Sequence, residues 1–143
     1  MLPLLMRLMI AMSYRFSIPY GKDFSKRYGL NAYYSGKHWT VRKNDADYWH
    51  CLVISELRKQ GIPKQLIQNP VKITFSFNSR MDIDNHAVME KYIVDSLKGY
   101  LLQDDTRKFY IEKTTKFSDK NYIEVEVQEV EHKESTDGYS QLY

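Results

Sequence analysis

The sequence has little cysteine, little net charge and no apolar run long enough to cross a membrane. Its one cysteine, Cys51, excludes an intramolecular disulfide and a cysteine-based zinc site, and it is typical of a reducing cytoplasm. A formal net charge of +3 permits binding to nucleic acid but does not by itself indicate it. Without an internal repeat or a linker, the 143 residues predict one domain with a sizeable core.

The apolar residues 1–12 are too few to span a bilayer. Arg7 lies in their middle and no small-residue cleavage site follows, which argues against an export signal. We expect residues 1–12 to be an N-terminal extension and residues 13–130 to form the domain. The polar tail, residues 131–143, is expected to be disordered. A cytoplasmic protein without membrane association is therefore expected.

Hydrophobic periodicity predicts four strands and two helices. Strands are predicted at residues 14–20, 71–77, 108–117 and 122–128, and helices at 45–60 and 84–101. Residues 21–37 are expected to form an ordered loop and residues 118–121 a hairpin turn. The order β-α-β-α-β-β predicts an α/β (α+β) fold, a mixed sheet backed by two helices.

Acidic residues stand at both ends of the second predicted helix. Asp82 and Asp84 lie two residues apart, and in an extended segment such side chains point to the same face. Asp84 and Asn85 are candidate N-caps, so the pair lies where an extended segment becomes a helix. Asp104 and Asp105 follow its far end. Carboxylates this close repel each other unless a cation lies between them, and hard oxygen ligands suit Mg²⁺ or Mn²⁺.

One face of that helix carries charges of both signs. At about 100° per residue, a sector of roughly 60° holds Asp84, Val88, Lys91 and Asp95. The opposite side carries the apolar residues expected in the core: Met89, Ile93, Leu97 and Tyr100. Two interpretations stay open, a functional surface or a solvated face with an ordinary Lys91–Asp95 ion pair.

Residues 80–105 combine these features in one pattern. The chain reads Asp82-Ile83-Asp84-Asn85, then Lys91, then Val94-Asp95-Ser96-Leu97, then Asp104-Asp105. This pattern resembles the RusA-type Holliday junction resolvases and their phage-encoded relatives. Their motif runs D-x-D-N, then a lysine four residues before a [FV]-D-[AS]-L segment, then D-D. About three more residues than in the bacterial pattern separate Asn85 from Lys91, so the lysine is matched through its spacing to Asp95.

The resemblance implies a RusA-like fold and a Mg²⁺-dependent endodeoxyribonuclease that resolves four-way DNA (Holliday) junctions in recombination, repair or phage DNA processing. It implies that Asp82, Asp84 and Asp105 bind Mg²⁺ or Mn²⁺ and that Lys91 is a catalytic lysine, although Asp104 stays open as an alternative to Asp105. Other classes also stay open: a less structure-selective endonuclease of the same fold, a non-catalytic DNA-binding protein, and a structural protein with a carboxylate metal site.

The length of the second predicted helix limits how its two ends can share a site. A straight helix of about 17 residues is roughly 25 Å long at 1.5 Å per residue, so its ends cannot meet at one metal ion. Either the chain reverses after Leu102, or a partner subunit supplies Asp105. A homodimer also suits a four-way junction, in which two opposed strands are cut.

Basic and aromatic residues alternate through residues 22–43. Basic side chains contact phosphates, and aromatic rings stack on bases or wedge between them. We expect DNA contacts from five residues: Lys37, His38, Arg42, Lys43 and Arg80. The alternative is a solvated basic loop whose aromatic side chains pack beneath it.

Overall fold

The computed structural model describes residues 12–130, and within them the chain forms four strands: β1 (Ser13–Pro19), β2 (Val71–Phe77), β3 (Tyr110–Phe117) and β4 (Tyr122–Glu129). They make one mixed sheet with the strand order β1-β4-β2-β3. β4 pairs antiparallel with β1 and with β2, whereas β2 pairs parallel with β3. The expected N-terminal extension, apart from Met12, and the expected disordered tail lie outside the described residues.

Helices cover one face of this sheet. Within the described range they are α1 (Phe24–Tyr28), α2 (Leu30–Tyr34), α3 (Trp39–Lys59) and α4 (Ala87–Leu97), and a 3-10 helix at Ile83–His86 leads into α4. The two long helices, α3 and α4, pack against each other. The expected α+β class, with a mixed sheet and helices, is confirmed. None of the helices within residues 12–130 has both the length and the apolar character that a membrane crossing requires.

The alternation of side chains along the strands gives the sheet one buried face. Ile73, Phe75 and Phe77 of β2 are fully buried, as the period of two predicts. The other face is polar, and there Arg15 of β1 pairs with Glu126 of β4 at 2.5 Å. The core therefore lies between the sheet and the two long helices.

The segment predicted as a loop, residues 21–37, contains α1 and α2, so that prediction is wrong. Phe24 and Tyr28 of α1 are buried, and their rings lie 5.0 and 5.2 Å from the ring of Trp49 on α3. α1 forms because this contact buries aromatic surface, which local propensity does not reveal. α2 instead contacts α4 and the 3-10 helix. α3 also begins earlier than predicted, at Trp39, because the ring of His38 accepts a hydrogen bond from the Thr40 N–H.

The predicted hairpin between the last two strands is also wrong. β3 and β4 are not neighbours, because β2 lies between them and pairs with both. The connection at residues 118–121 crosses the end of β2, where the Ser118 N–H donates to the Phe77 carbonyl at 2.8 Å. β3 is left at an edge of the sheet, beside α4.

The second predicted helix is shorter than expected, because α4 ends at Leu97 rather than continuing to Leu101. Gly99 has a φ of 82°, a left-handed conformation that commonly follows the last turn of a helix. The N–H groups of Tyr100, Leu101 and Leu102 all donate to the Leu97 carbonyl at 3.0 Å. The chain therefore reverses directly after α4.

We expect Gly99→Ala to lower the free energy of unfolding by about 1–2 kcal/mol, the cost of a left-handed conformation for a residue with a Cβ. A Cβ at this position would meet no atom within 4 Å, so the loss would report backbone strain rather than a clash. Gly99→Asn should lose less, because asparagine tolerates this conformation better. Urea denaturation followed by circular dichroism measures both, and equal losses in the two variants would contradict this account.

Candidate active site

A buried histidine holds the corner at which β2 leads into the 3-10 helix. The His86 ring is fully buried and lies 4.2 Å from the Phe77 ring. Its Nδ1 is 2.9 Å from the Ile83 carbonyl, which can only accept, so Nδ1 carries the proton. Nε2 then accepts from the Ser79 hydroxyl at 2.7 Å, and Ser79 accepts in turn from the Met81 N–H. This network ties residues 79–81 to the 3-10 helix.

The predicted metal ligands Asp82 and Asp84 project from this corner into solvent. Asp82 is the N-terminal cap residue of the 3-10 helix, its backbone is extended, and its carbonyl accepts from the Asn85 N–H at 3.0 Å. The prediction that Asp84 or Asn85 caps the helix is wrong, because His86 holds that position for α4. The Asp82 carboxylate accepts no capping hydrogen bond from the N–H groups of the 3-10 helix.

A cleft of about 220 Å³ lies between α4 and β3, and we call it the α4–β3 cleft. One face of α4 supplies residues three or four apart: Ala87, Glu90, Lys91, Val94 and Asp95. Asp105 comes from the reversed chain, and Tyr110 and Lys113 come from β3. Lys91 and Asp105, both predicted site residues, therefore line the same cleft. Asp82 and Asp84 do not line it, although Asp84 lies about one helical turn before Ala87.

Ion pairs run along this cleft in an alternating series. Lys91 Nζ lies 3.8 Å from Asp95, and Lys98 Nζ lies 3.6 Å from both Asp95 and Asp105. The Lys91–Asp95 pair of the solvated-face interpretation is thus present. Partial burial of Asp105 alone would raise its pKa, but the Lys98 ammonium and a hydrogen bond with Asp104 outweigh it and hold the pKa below the ordinary value. Asp105 is therefore ionised at neutral pH.

Asp104 has a different position from Asp105. Its side-chain oxygen accepts a hydrogen bond from the Asp105 N–H at 2.8 Å, which stabilises the turn. Asp104 does not line the α4–β3 cleft, whereas Asp105 does. Of the two alternatives left open by the sequence, Asp105 is the one that lines the same cleft as Lys91.

The sequence analysis missed a buried carboxylate in the wall of the cleft, Glu90. Its side chain pairs with Lys113 Nζ at 2.9 Å and accepts a hydrogen bond from the Thr115 hydroxyl. A signal was available, because Glu90 lies three and seven residues before Ile93 and Leu97, on the buried stripe of α4. A charge on that stripe requires partners, and β3 provides them.

Tyr110 lies beside this buried pair and lines the same cleft. Its hydroxyl is buried and has no hydrogen-bond partner within residues 12–130. Burial, together with the nearby charge of Glu90, raises the pKa of Tyr110 above its ordinary value. The phenol therefore stays protonated at neutral pH.

The donor chemistry of the acidic residues fits Mg²⁺ or Mn²⁺, because all are hard carboxylate oxygens. Nevertheless, within residues 12–130 no three His, Cys, Asp or Glu side chains form a group that could hold a metal ion. Mg²⁺ is usually held by one or two carboxylates together with water and substrate phosphates rather than by a protein cage. Asp82 and Asp84 would meet that smaller requirement.

Three of the five predicted DNA-binding residues make contacts within the fold. Lys37 Nζ pairs with the buried Asp45 at 2.7 Å and donates to the Arg27 carbonyl. His38 caps α3, and the Arg42 guanidinium lies 4.7 Å from the centre of the Tyr33 ring. The charge of Lys37 is already neutralised, so it is the weakest candidate for a phosphate contact.

The other two predicted DNA-binding residues, Lys43 and Arg80, are exposed. Arg80 lies two residues before Asp82, next to the acidic corner, and Lys43 lies in the first half of α3. Contact of these residues with DNA stays a prediction.

Compared with known families and with characterised proteins, the sequence matches no family model and no curated protein. The resemblance to the RusA-type resolvases therefore depends on the motif in residues 80–105.

We expect Lys113→Ala to lower the free energy of unfolding by about 1–2 kcal/mol, because it leaves the Glu90 charge buried without its cation. The double variant Glu90→Leu/Lys113→Ala should recover part of that loss. Lys116→Ala, in the same strand but on the polar face, is the matched control and should stay close to the wild type. Urea denaturation measures all three, and a Lys113→Ala variant as stable as the control would show that the pair is not needed.

Proposed function

We propose that this protein is a Mg²⁺-dependent, structure-selective endodeoxyribonuclease that cuts four-way DNA junctions. The observation that carries the proposal is the convergence of Lys91 and Asp105 in the α4–β3 cleft. These residues are 14 positions apart in the sequence, and the reversal after α4 brings them together. They are also the lysine and the final aspartate of the resolvase-like motif. Two residues that the motif separates along the chain therefore line one cleft.

In this proposal Lys91 binds a phosphate of the strand to be cut. Its side chain is 69% exposed, and its ion pair with Asp95 is long, at 3.8 Å. Because exposed pairs of this kind contribute little, a phosphate can take the place of Asp95 at small cost. The Lys91 ammonium then neutralises charge on the phosphate and orients it toward the acidic corner.

Asp82 and Asp84 would hold Mg²⁺ or Mn²⁺ together with the DNA phosphate. Asp105, the third ligand that the motif implies, lines the α4–β3 cleft, which neither of them lines. A divalent ion supplies Lewis acidity for attack by water on the phosphodiester. The His86 network stabilises the corner that presents Asp82 and Asp84. The Lys98 ammonium lies 3.6 Å from Asp105 and helps to lower its pKa.

The finer assignment, a RusA-like fold, belongs to the same proposal and depends on the motif. We also propose a homodimer in the cytoplasm, because a four-way junction presents two equivalent strands. The reversal after α4 occurs within one chain, so the dimer is not needed to bring Asp105 back to α4. In the proposed dimer, each subunit would cut one of the two equivalent strands.

We expect Asp84→Asn to reduce Mg²⁺-dependent cleavage of a synthetic four-way junction by at least about 10²-fold, because a metal ligand and its charge are lost. Binding to the junction should be unchanged or tighter, since a negative charge near phosphate is removed. Asp47→Asn, an exposed position on α3 outside the cleft, is the control. Cleavage is measured with Mg²⁺ on a junction, a flap and a linear duplex.

Each cleavage pattern favours one class of protein. Cutting of the junction alone supports the proposal, and cutting of all three substrates favours a general endonuclease of the same fold. Binding without cutting favours a DNA-binding protein. Metal binding without DNA binding favours a structural metal site. Wild-type activity in Asp84→Asn would overturn the ligand assignment.

We expect Lys91→Ala to slow single-turnover cleavage by about 10²-fold, the usual cost of removing one group that stabilises charge in the transition state. Lys59→Ala is a close control, because the Lys59 side chain is also 69% exposed and also pairs with an acidic residue of its own helix. Lys91→Ala should keep the wild-type free energy of unfolding within about 0.5 kcal/mol. Lys59→Ala should lose somewhat more, because its partner Glu56 is buried. Equal rates for the two variants would show that Lys91 belongs only to a solvated face.

A further inference from the structure

A second cavity lies on the other side of Lys91, between α2 and α4, and we call it the α2–α4 groove. Its volume is about 310 Å³. α2 supplies Leu30, Tyr33 and Tyr34, and α4 supplies Val88, Lys91 and Tyr92. None of the described residues that line it carries a carboxyl group. The groove is thus apolar and aromatic, with one ammonium at the edge that it shares with the α4–β3 cleft.

The rings on α2 are placed to receive a flat partner. Tyr34 is 75% exposed, although an aromatic ring of that size usually gains by burial. Its ring meets the ring of Tyr33 edge to face at 5.5 Å, and the Arg42 guanidinium lies over the Tyr33 ring. A second positive charge therefore lies next to one of the rings that line the groove.

We propose that the α2–α4 groove binds one unpaired nucleobase of a DNA strand, with the base stacked on Tyr34 and the adjoining phosphate bound by Lys91. A nucleotide joins a flat aromatic base to an anion, which matches an apolar groove with cations beside it. An apolar peptide would match the groove's lining but not those cations. The inference rests on the proposed function only in taking DNA as the ligand.

The position of Lys91 links this groove to the proposed chemistry. Because Lys91 lines both cavities, a base held in the α2–α4 groove leaves its phosphate at the entrance of the α4–β3 cleft. A base within a regular duplex must first leave the stack, which costs a few kcal/mol and costs least where pairing is already disturbed. The groove would therefore favour DNA with an unstacked base, such as a branch point, over a linear duplex.

The test measures binding of a fluorescently labelled single-stranded oligonucleotide by anisotropy, in EDTA, so that the result does not depend on cleavage. We expect Tyr34→Leu to weaken binding about tenfold, which corresponds to about 1.4 kcal/mol and lies within the range for one base stacked on an aromatic ring. Tyr34→Phe keeps the ring and should bind within about twofold of the wild type. Tyr48 is an exposed tyrosine on α3 that does not line the groove, so Tyr48→Leu should also bind within about twofold of the wild type. Because Tyr34 is exposed, these variants should fold normally.

A second measurement locates the base. An oligonucleotide carrying 5-iododeoxyuridine, which crosslinks to stacked aromatic residues on illumination, should form an adduct at Tyr33 or Tyr34 that mass spectrometry identifies. Adducts only at other residues would overturn the proposal. Wild-type binding by Tyr34→Leu, or no binding of single strands by the wild type, would also overturn it.

The two proposals fail in different ways. If Tyr34→Leu weakens binding and the wild type cuts no DNA, the groove is supported and the nuclease proposal falls. If the wild type cuts junctions and Tyr34→Leu binds single strands as the wild type does, the nuclease proposal stands and the groove is overturned.

Discussion

The carbonyl oxygen of Leu97 accepts hydrogen bonds from three successive N–H groups, and the direction of the chain after α4 depends on this contact. Leu97 is fully buried, so an unpaired carbonyl there would be costly. The next residues are tied to a distant segment, because the Tyr100 hydroxyl donates to the Ile62 carbonyl at 2.6 Å. The reversal is thus held from both sides, and it determines that Asp105 returns to α4 instead of continuing along its axis.

The same helix must be apolar toward the sheet and charged toward solvent, and the α4–β3 cleft lies where those two requirements meet. Glu90 is a carboxylate on the buried stripe of α4, and its partners Lys113 and Thr115 belong to the edge strand β3. β3 is an edge strand, so its polar side chains that face α4 lie at the margin of the core and not at its centre. Lys91, the next residue along α4, is consequently exposed at the rim of the cleft.

Much of the architecture followed from local patterns, and the errors have physical causes. The buried positions of β2 and the apolar stripe at Met89, Ile93 and Leu97 agree with their periodicity. The predicted end of the second helix at residue 101 is wrong, because the apolar pattern continues through Tyr100 and Leu101 although Gly99 takes a left-handed conformation after the last turn. α1 and α2 were missed because helices of five residues form only against a partner, which is chiefly Trp49 for α1 and is α4 with the 3-10 helix for α2. The false hairpin came from a turn-like tetrapeptide, which carries no information about which strand is the neighbour.

The sequence by itself determined the four strands, the buried stripe of α4 and the spacing of the acidic motif, because periods of two and 3.6 residues are local properties of the chain. Only the tertiary structure decided that β2 separates β3 from β4, that Asp105 and Lys91 share a cleft, and that Glu90 is buried in its wall. Those outcomes depend on which distant segments pair and in which direction the chain leaves a helix. Both are set by the packing of the whole domain and not by the residues on either side of the turn.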